Sequence, residues 1–197
     1  TGDGVNDAPA LKSAHIGVAM GQMGTDVSKE ASELILLDDS YPTLVHAIKE
    51  GRTIYNNLKK TVLASLTTNG AELVVVLLGL IGSALIGWPI PILAIQILAI
   101  DLLAEILPLT ALTFDPASRN LMITPPREKD EHMINKNTVI EVSFLGILMG
   151  LMAYVNFSFY ANGITNFSAD NPLYSRATTL TYLTIILCQL INIMSRR

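Results

Sequence analysis

Hydrophobic and polar positions are spread very unevenly along the chain. Residues 1–60 mix apolar positions with eight acidic and six basic side chains. From Leu73 to Ile100, 28 consecutive residues are uncharged, and Val142–Ala169 and Ala177–Ser195 repeat that pattern. A helix needs about 20 apolar residues to cross about 30 Å of hydrocarbon. The pattern therefore predicts four spans, at about 61–86, 92–114, 138–160 and 178–195. The fold class expected is a mainly α membrane protein with a small α/β piece at its N-terminal end.

Within that piece, Asn6-Asp7-Ala8-Pro9 offers an N-cap followed by proline, predicting a short helix over Ala8–Ala14. His15–Met20 has strand character, Gly21–Thr25 reads as a turn, Asp26–Ser32 as a helix and Glu33–Leu37 as a second strand. After Pro42 no proline occurs until Pro89. One helix from about Thr43 to Leu85 would be about 65 Å long at ~1.5 Å per residue, roughly twice a bilayer core. Its first half is charged and its second half apolar, so the division expected is 1–42, a stalk 43–60 and a membrane part 61–197. Gly87-Trp88-Pro89-Ile90-Pro91 reads as an interfacial turn, and Pro108 interrupts the second span.

Composition narrows the class. Charged residues make up only 15% of the chain, against a usual ~25% in soluble domains. Net charge is −4 with no basic stripe, which argues against nucleic acid as a partner. A single cysteine excludes a disulfide framework. The basic residues of the stalk (Arg52, Lys59, Lys60), of segment 115–136 (Arg119, Arg127, Lys129, Lys136) and of the end (Arg196, Arg197) fall on one side when four spans alternate. The positive-inside rule then puts the N-terminal part and loop 115–136 in the cytoplasm. Asn166-Phe167-Ser168 is a glycosylation triplet on the opposite side.

Two constellations carry chemistry. Thr1-Gly2-Asp3-Gly4-Val5-Asn6-Asp7 places two carboxylates four residues apart among glycines, a set suited to Mg2+, which takes one or two carboxylates together with waters and phosphate oxygens. Asn6 can serve a phosphoryl oxygen. The bland alternative is a turn whose Asp7 caps the following helix. The second constellation lies inside the spans. Residues 61–118 hold no Lys, Arg or His but four acids, Glu72, Asp101, Glu105 and Asp115. Asn69 and Glu72 are three apart, and Asp101 and Glu105 are four apart, so each pair is expected on one helix face. An acid at mid-bilayer costs about 2.5–3.5 kcal/mol, so three unpaired ones cost roughly 7–10 kcal/mol. Protonation, mutual hydrogen bonding or a bound cation must offset that. Oxygen donors suit hard cations rather than copper or zinc.

The string Thr1–Leu11, followed by Ile54-Tyr55-Asn56-Asn57-Leu58-Lys59-Lys60, resembles the hinge motif and the start of the fifth transmembrane helix of the P-type ATPases, specifically the P2-type cation pumps. The resemblance covers essentially the whole chain and implies a piece running from the hinge through the eighth span. It implies that residues 1 to about 42 end a haloacid-dehalogenase-like phosphorylation domain, with Asp3 and Asp7 at Mg2+, Asn6 in the same pocket and Gly4 near the bound group. The phosphorylated aspartate and the ATP-binding domain belong to parts of the family absent here, so this chain alone is expected to be inactive. By the same resemblance Asn69, Glu72, Asp101 and Glu105 match positions around the transported cation. Asp101 is similar to the sodium/potassium-type pattern, whereas Glu105 stands where the family places Asp. Ala104 and Ile186 replace ligating residues of reticulum-type calcium pumps, and Gln189 remains as a polar contributor. The function implied is ATP-driven transport of Na+/K+ or Ca2+, with a lean to alkali cations. The partners implied are the cation, the bilayer and the other domains of the same pump. The rival readings are a secondary cation transporter or channel without ATP coupling, and a membrane-anchored phosphatase.

Overall fold

A computed structural model describes residues 1–127, 132–163 and 171–197. Lys129 and the Asn166-Phe167-Ser168 triplet lie outside the described residues. The chain divides into two compact units, Thr1–Thr53 with Ala117–Thr124, and Ile54–Pro116 with Pro125–Arg197.

In the first unit a single 3-10 turn, Val5–Asp7, leads into α1 (Ala8–Ser13), with Pro9 in its first turn, where its missing N–H costs nothing. β1 (Val18–Met20), α2 (Asp26–Glu30) and β2 (Leu34–Leu36) follow. The strands pair in parallel, Val18 opposite Leu34 and Met20 opposite Leu36. Gly2 bridges Ala19 on the other side of β1. Thr25 caps α2 by accepting the Ser28 N–H. The elements match the order predicted from the sequence, each shortened by one to three residues at its ends. Leu11, Val18, Ala19 and Leu36 form the buried centre. β2 is followed, after Leu37, by Asp38 and Asp39. Asp39 adopts φ +52°, one of the few left-handed positions an Asp tolerates, and its carboxylate accepts the Gln22 and Met23 N–H groups at 2.9 and 2.8 Å. Arg52 donates to the carbonyls of Leu121 and Thr124, both at 3.0 Å, and so pins segment 117–124.

Helix α3 runs unbroken from Tyr41 to Ile86, 46 residues or about 69 Å. It contributes its first 13 residues to the first unit and the remainder to the second. It ends because Gly87 takes φ +74° and donates to the Ser83 carbonyl, a left-handed cap that glycine alone adopts without strain.

Among the described residues four helices are long and apolar enough to span a membrane: Tyr41–Ile86, Ala94–Thr113, Lys136–Ala161 and Pro172–Arg196. The second is composite: α4 (Ala94–Ala99), a wide π turn (Ile100–Glu105) and α5 (Ile106–Thr113). The sequence reading attributed the interruption of this span to Pro108, and the irregular turn reaches Glu105, three residues before it. Pro108 sits within α5, and the irregular turn comes just before it. A proline cannot donate to the carbonyl four residues back, Ala104, so the ladder loosens on the N-terminal side. α6 (Lys136–Ala161) opens with a reciprocal cap, Asn135 Oδ1 accepting the Thr138 N–H and Thr138 Oγ1 accepting the Asn135 N–H. α7 (Pro172–Arg196) starts six residues before the predicted 178, because Asn171 caps it and Pro172 fits its first position.

α6 lies directly on α3. A Cβ on Gly150 would stand 2.7 Å from Val74 Cβ and 2.8 Å from the Ala71 carbonyl, and one on Gly146 would stand 3.1 Å from the Thr67 carbonyl. Two glycines four apart thus let the backbones approach, the small-residue packing common in membranes. Elsewhere Val75, Ile92, Ile100, Ala153 and Ile185 close one core, and Phe157, Ala161, Tyr174 and Ala177 another, with Trp88 and Tyr154 against it.

Candidate functional sites

The N-terminal motif forms a tight, tied loop. Asp7 Oδ2 accepts the backbone N–H of Asp3 and of Gly4, each at 3.0 Å. These two donors, Gly4 first, hold the Asp7 carboxyl below the usual carboxylate range. The Asp3 carbonyl accepts the Thr25 N–H at 2.9 Å and the Ser28 hydroxyl at 3.1 Å. The Asp3 backbone is fixed on both sides while its exposed carboxylate stays clear of these bonds. Asn6 is exposed beside it. Of the two motif glycines, Gly2 is required: a Cβ there would lie 2.5 Å from Asp7 Cβ. Gly4 has room for one, its nearest neighbour being Asp7 Oδ2 at 3.6 Å. The donor set suits a hard cation, with Asp3 as its available carboxylate and Asp7 Oδ1 left over from the loop clasp.

The intramembrane acids present a different picture. Glu72 on α3 and Glu105 in the π turn are buried, 7% and 5% exposed, and each has an Oε1 with no hydrogen-bond partner among the described residues. Asp101, one turn before Glu105, is half-buried. Asp101 and Glu105 both lie close enough to Glu72 to repel its charge, and Ser65 is a polar neighbour of Glu105. Glu72, Asp101 and Glu105 are thus brought into one region from two elements, α3 and the second span.

Asn69 does not join them. It is exposed, whereas Ala64, Thr67, Thr68, Ala71, Glu72 and Val75 form the buried side of α3. At about 100° per residue, positions three apart differ by about 60°, enough to carry Asn69 past the edge of that side. Among the described residues no three His, Cys, Asp or Glu side chains stand close enough together to hold a metal ion.

Other polar groups around this region carry no strong sequence signal of their own. Gln189 is fully buried on α7 with neither amide atom partnered. Arg196 is 10% exposed and ties three helices, bonding Glu141 of α6 at 3.1 Å, Asn192 of α7 at 3.1 Å and Thr67 of α3 at 3.4 Å. The sequence reading named Gln189 but passed over Asn192 and Arg196, which follow it at spacings of three and four.

A family described as "Cation transporting ATPase, C-terminus" matches residues 89–197. The chain belongs to the cation-transporting ATPases. It is 39% identical over its whole length to a calcium-transporting ATPase of Bacillus subtilis (strain 168), covering 21% of that protein. It is 44% identical over 77% of its length to a calcium-transporting ATPase of Plasmodium falciparum, covering 12% of it. It is 44% identical over 82% of its length to the potassium-transporting ATPase alpha chain 2 of Homo sapiens, covering 15% of it. The chain thus spans about a fifth or less of the length of these relatives.

Proposed function

We propose that this chain is part of an ATP-driven cation pump, with its N-terminal piece belonging to a haloacid-dehalogenase-like phosphorylation domain on the cytoplasmic side. The observation that carries the reading is the pair of buried acids, Glu72 and Glu105, each with an unpartnered oxygen inside an apolar helix bundle. Such groups are costly in a membrane and mark ion pathways. The transported cation is drawn to Glu72, Asp101 and Glu105, and its charge relieves the repulsion between them. Relatives named for calcium and for potassium transport are both similar to this chain, so Na+, K+ and Ca2+ all remain in the proposal.

At the other site the residues fit Mg2+, which when bound would neutralise phosphate oxygen charge during phosphoryl transfer. Asp3 offers the free carboxylate. Asp7 holds the loop through two backbone donors, and Gly2 makes room for Asp7. Asn6 offers an amide toward a phosphoryl oxygen. Loop 115–136 belongs on the same cytoplasmic side as Asp3.

The test is ATPase activity of the complete protein carrying this chain, assayed with Mg2+ against Na+, K+, Ca2+ and Mn2+. The expected result is stimulation by at least one cation, lost in Glu72→Gln. Turnover unaffected by every cation overturns the reading.

A further inference from the structure

Helix α5 ends at Thr113, and the carbonyls of a final helical turn have no donor within the helix. The donor comes from another helix. Asn57 of α3, 4% exposed, donates from Nδ2 to the Thr113 carbonyl at 3.2 Å and to the Asp115 carbonyl at 2.7 Å. Both targets can only accept, so the amide atom facing them must be the nitrogen, and both of its hydrogens are used. Asp115 is held a second time, its carboxylate meeting Arg197 at 3.0 Å.

We infer that Asn57 is a positioning residue that sets the register of α3 against the second span, and thereby the relation of Glu72 to Asp101 and Glu105. Ser65 lies eight residues along α3 from Asn57, and Glu105 lies eight residues back along the span from Thr113. Each is about 12 Å from the Asn57 junction, and Ser65 is the polar neighbour of Glu105. Glu72 lies one to two turns further along α3, and Asp101 one turn further along its own helix. A slip of one residue at the junction displaces these side chains by about 1.5 Å and about 100°. A backbone carbonyl moves with the helix that carries it, so bonds to two of them fix the helix itself rather than a flexible side chain. The inference rests on the proposed cation site for its functional consequence, but the helix register it describes can be measured independently.

The experiment uses the complete protein in membranes, with Asn57→Ala and Asn57→Gln. Two spin labels at Leu73→Cys and Ile106→Cys, exposed neighbours of Glu72 and Glu105 in a background without other cysteines, report the spacing of the two helices. Asn57→Ala is expected to shift or broaden that distance, and Asn57→Gln to restore most of it. In unlabelled protein the half-saturating cation concentration for ATPase rises about tenfold in Asn57→Ala, while the maximal phosphorylation level holds. If Asn57→Ala does not accumulate, Asn57→Ser, whose hydroxyl is too short to reach both carbonyls, is measured in its place. An unchanged label distance overturns the inference, as does an unchanged half-saturation with only a lower maximal rate. A wild type without cation stimulation sinks the pump reading instead, and the label distance still decides the role of Asn57.

Discussion

Asp7 Oδ2 accepts the backbone N–H of Asp3 at 3.0 Å, so the first carboxylate of the motif is positioned by the second. The two acids have separate tasks, one free to bind and one spent on the loop. Asp3→Ala in the complete protein is expected to lower Mg2+-dependent phosphorylation on the order of 100-fold, the scale for losing a group aimed at developing charge. Thermal stability should hardly change, since no hydrogen bond to the Asp3 side chain supports the fold. Asp7→Ala should lower both, because the Asp3 and Gly4 amides lose their acceptor. Phosphorylation assays beside thermal melts distinguish the two patterns. Equal loss of stability in both variants would count against the division of labour.

The same clasp predicts a pH effect. Asp7 and Asp39 are both held below the ordinary carboxylate value of 3.8, Asp7 chiefly by the Gly4 N–H and Asp39 chiefly by the Gln22 N–H. A carboxyl whose value is depressed by folding stabilises the fold above its unfolded value, and that contribution disappears as pH falls through the folded value. The N-terminal piece should therefore keep its full stability above about pH 4 and loosen below it. Hydrogen-exchange protection of the Asp3, Gly4, Gln22 and Met23 amides, compared at pH 5 and pH 3, checks this. Protection undiminished at pH 3 contradicts it.

Glu72→Gln removes one of the charges that repel in the bundle while keeping the shape of the side chain. Without cations the variant should melt at or above the wild-type temperature, because a buried carboxyl is costly there whether it ionises or takes up a proton. Cation-stimulated ATPase should need at least about tenfold more cation, matching the ~1.5–3 kcal/mol worth of a charge-assisted contact. A variant that is both less stable and equally responsive to cation would assign Glu72 a structural role.

Much of this was legible in the sequence, for definite reasons. An uncharged run of 28 residues has one physical solution in lipid, and α3 was bounded to within two residues by Pro42 and Gly87. The α/β order was signalled by Pro9, the glycine turn and the two short apolar runs. Asn69 is exposed in this chain while Glu72 is buried, because sharing a face at three residues apart is only approximate where the buried arc ends. Pro108 signalled that the second span is interrupted, but the extent of the π turn over Ile100–Glu105 has no signature of its own, since those residues would also fit a regular helix. Asn57 and Arg196 act on carbonyls and side chains far away in the chain, and spacing within one helix cannot reveal those partners.

Arg196 and Glu141 form an unequal pair, 10% and 51% exposed. Removing the exposed member leaves a guanidinium buried without its carboxylate, whereas removing Arg196 leaves an acid that water can solvate. Glu141→Gln should therefore cost about 1–3 kcal/mol. Arg196→Met, which keeps most of the packing volume, should cost less. Thermal melts of the two variants check the order, and the reverse order would show that the Asn192 and Thr67 bonds outweigh the ion pair.

The approach of Gly146 and Gly150 to Thr67 and Ala71 has a mechanical meaning. Where main chain rests on main chain, no layer of side chains is left to act as a lubricant, and sliding would drive the Gly150 α-carbon into the Val74 side chain. α3 and α6 are in this sense welded over that stretch. A displacement of α3 at Glu72 must therefore carry α6 with it.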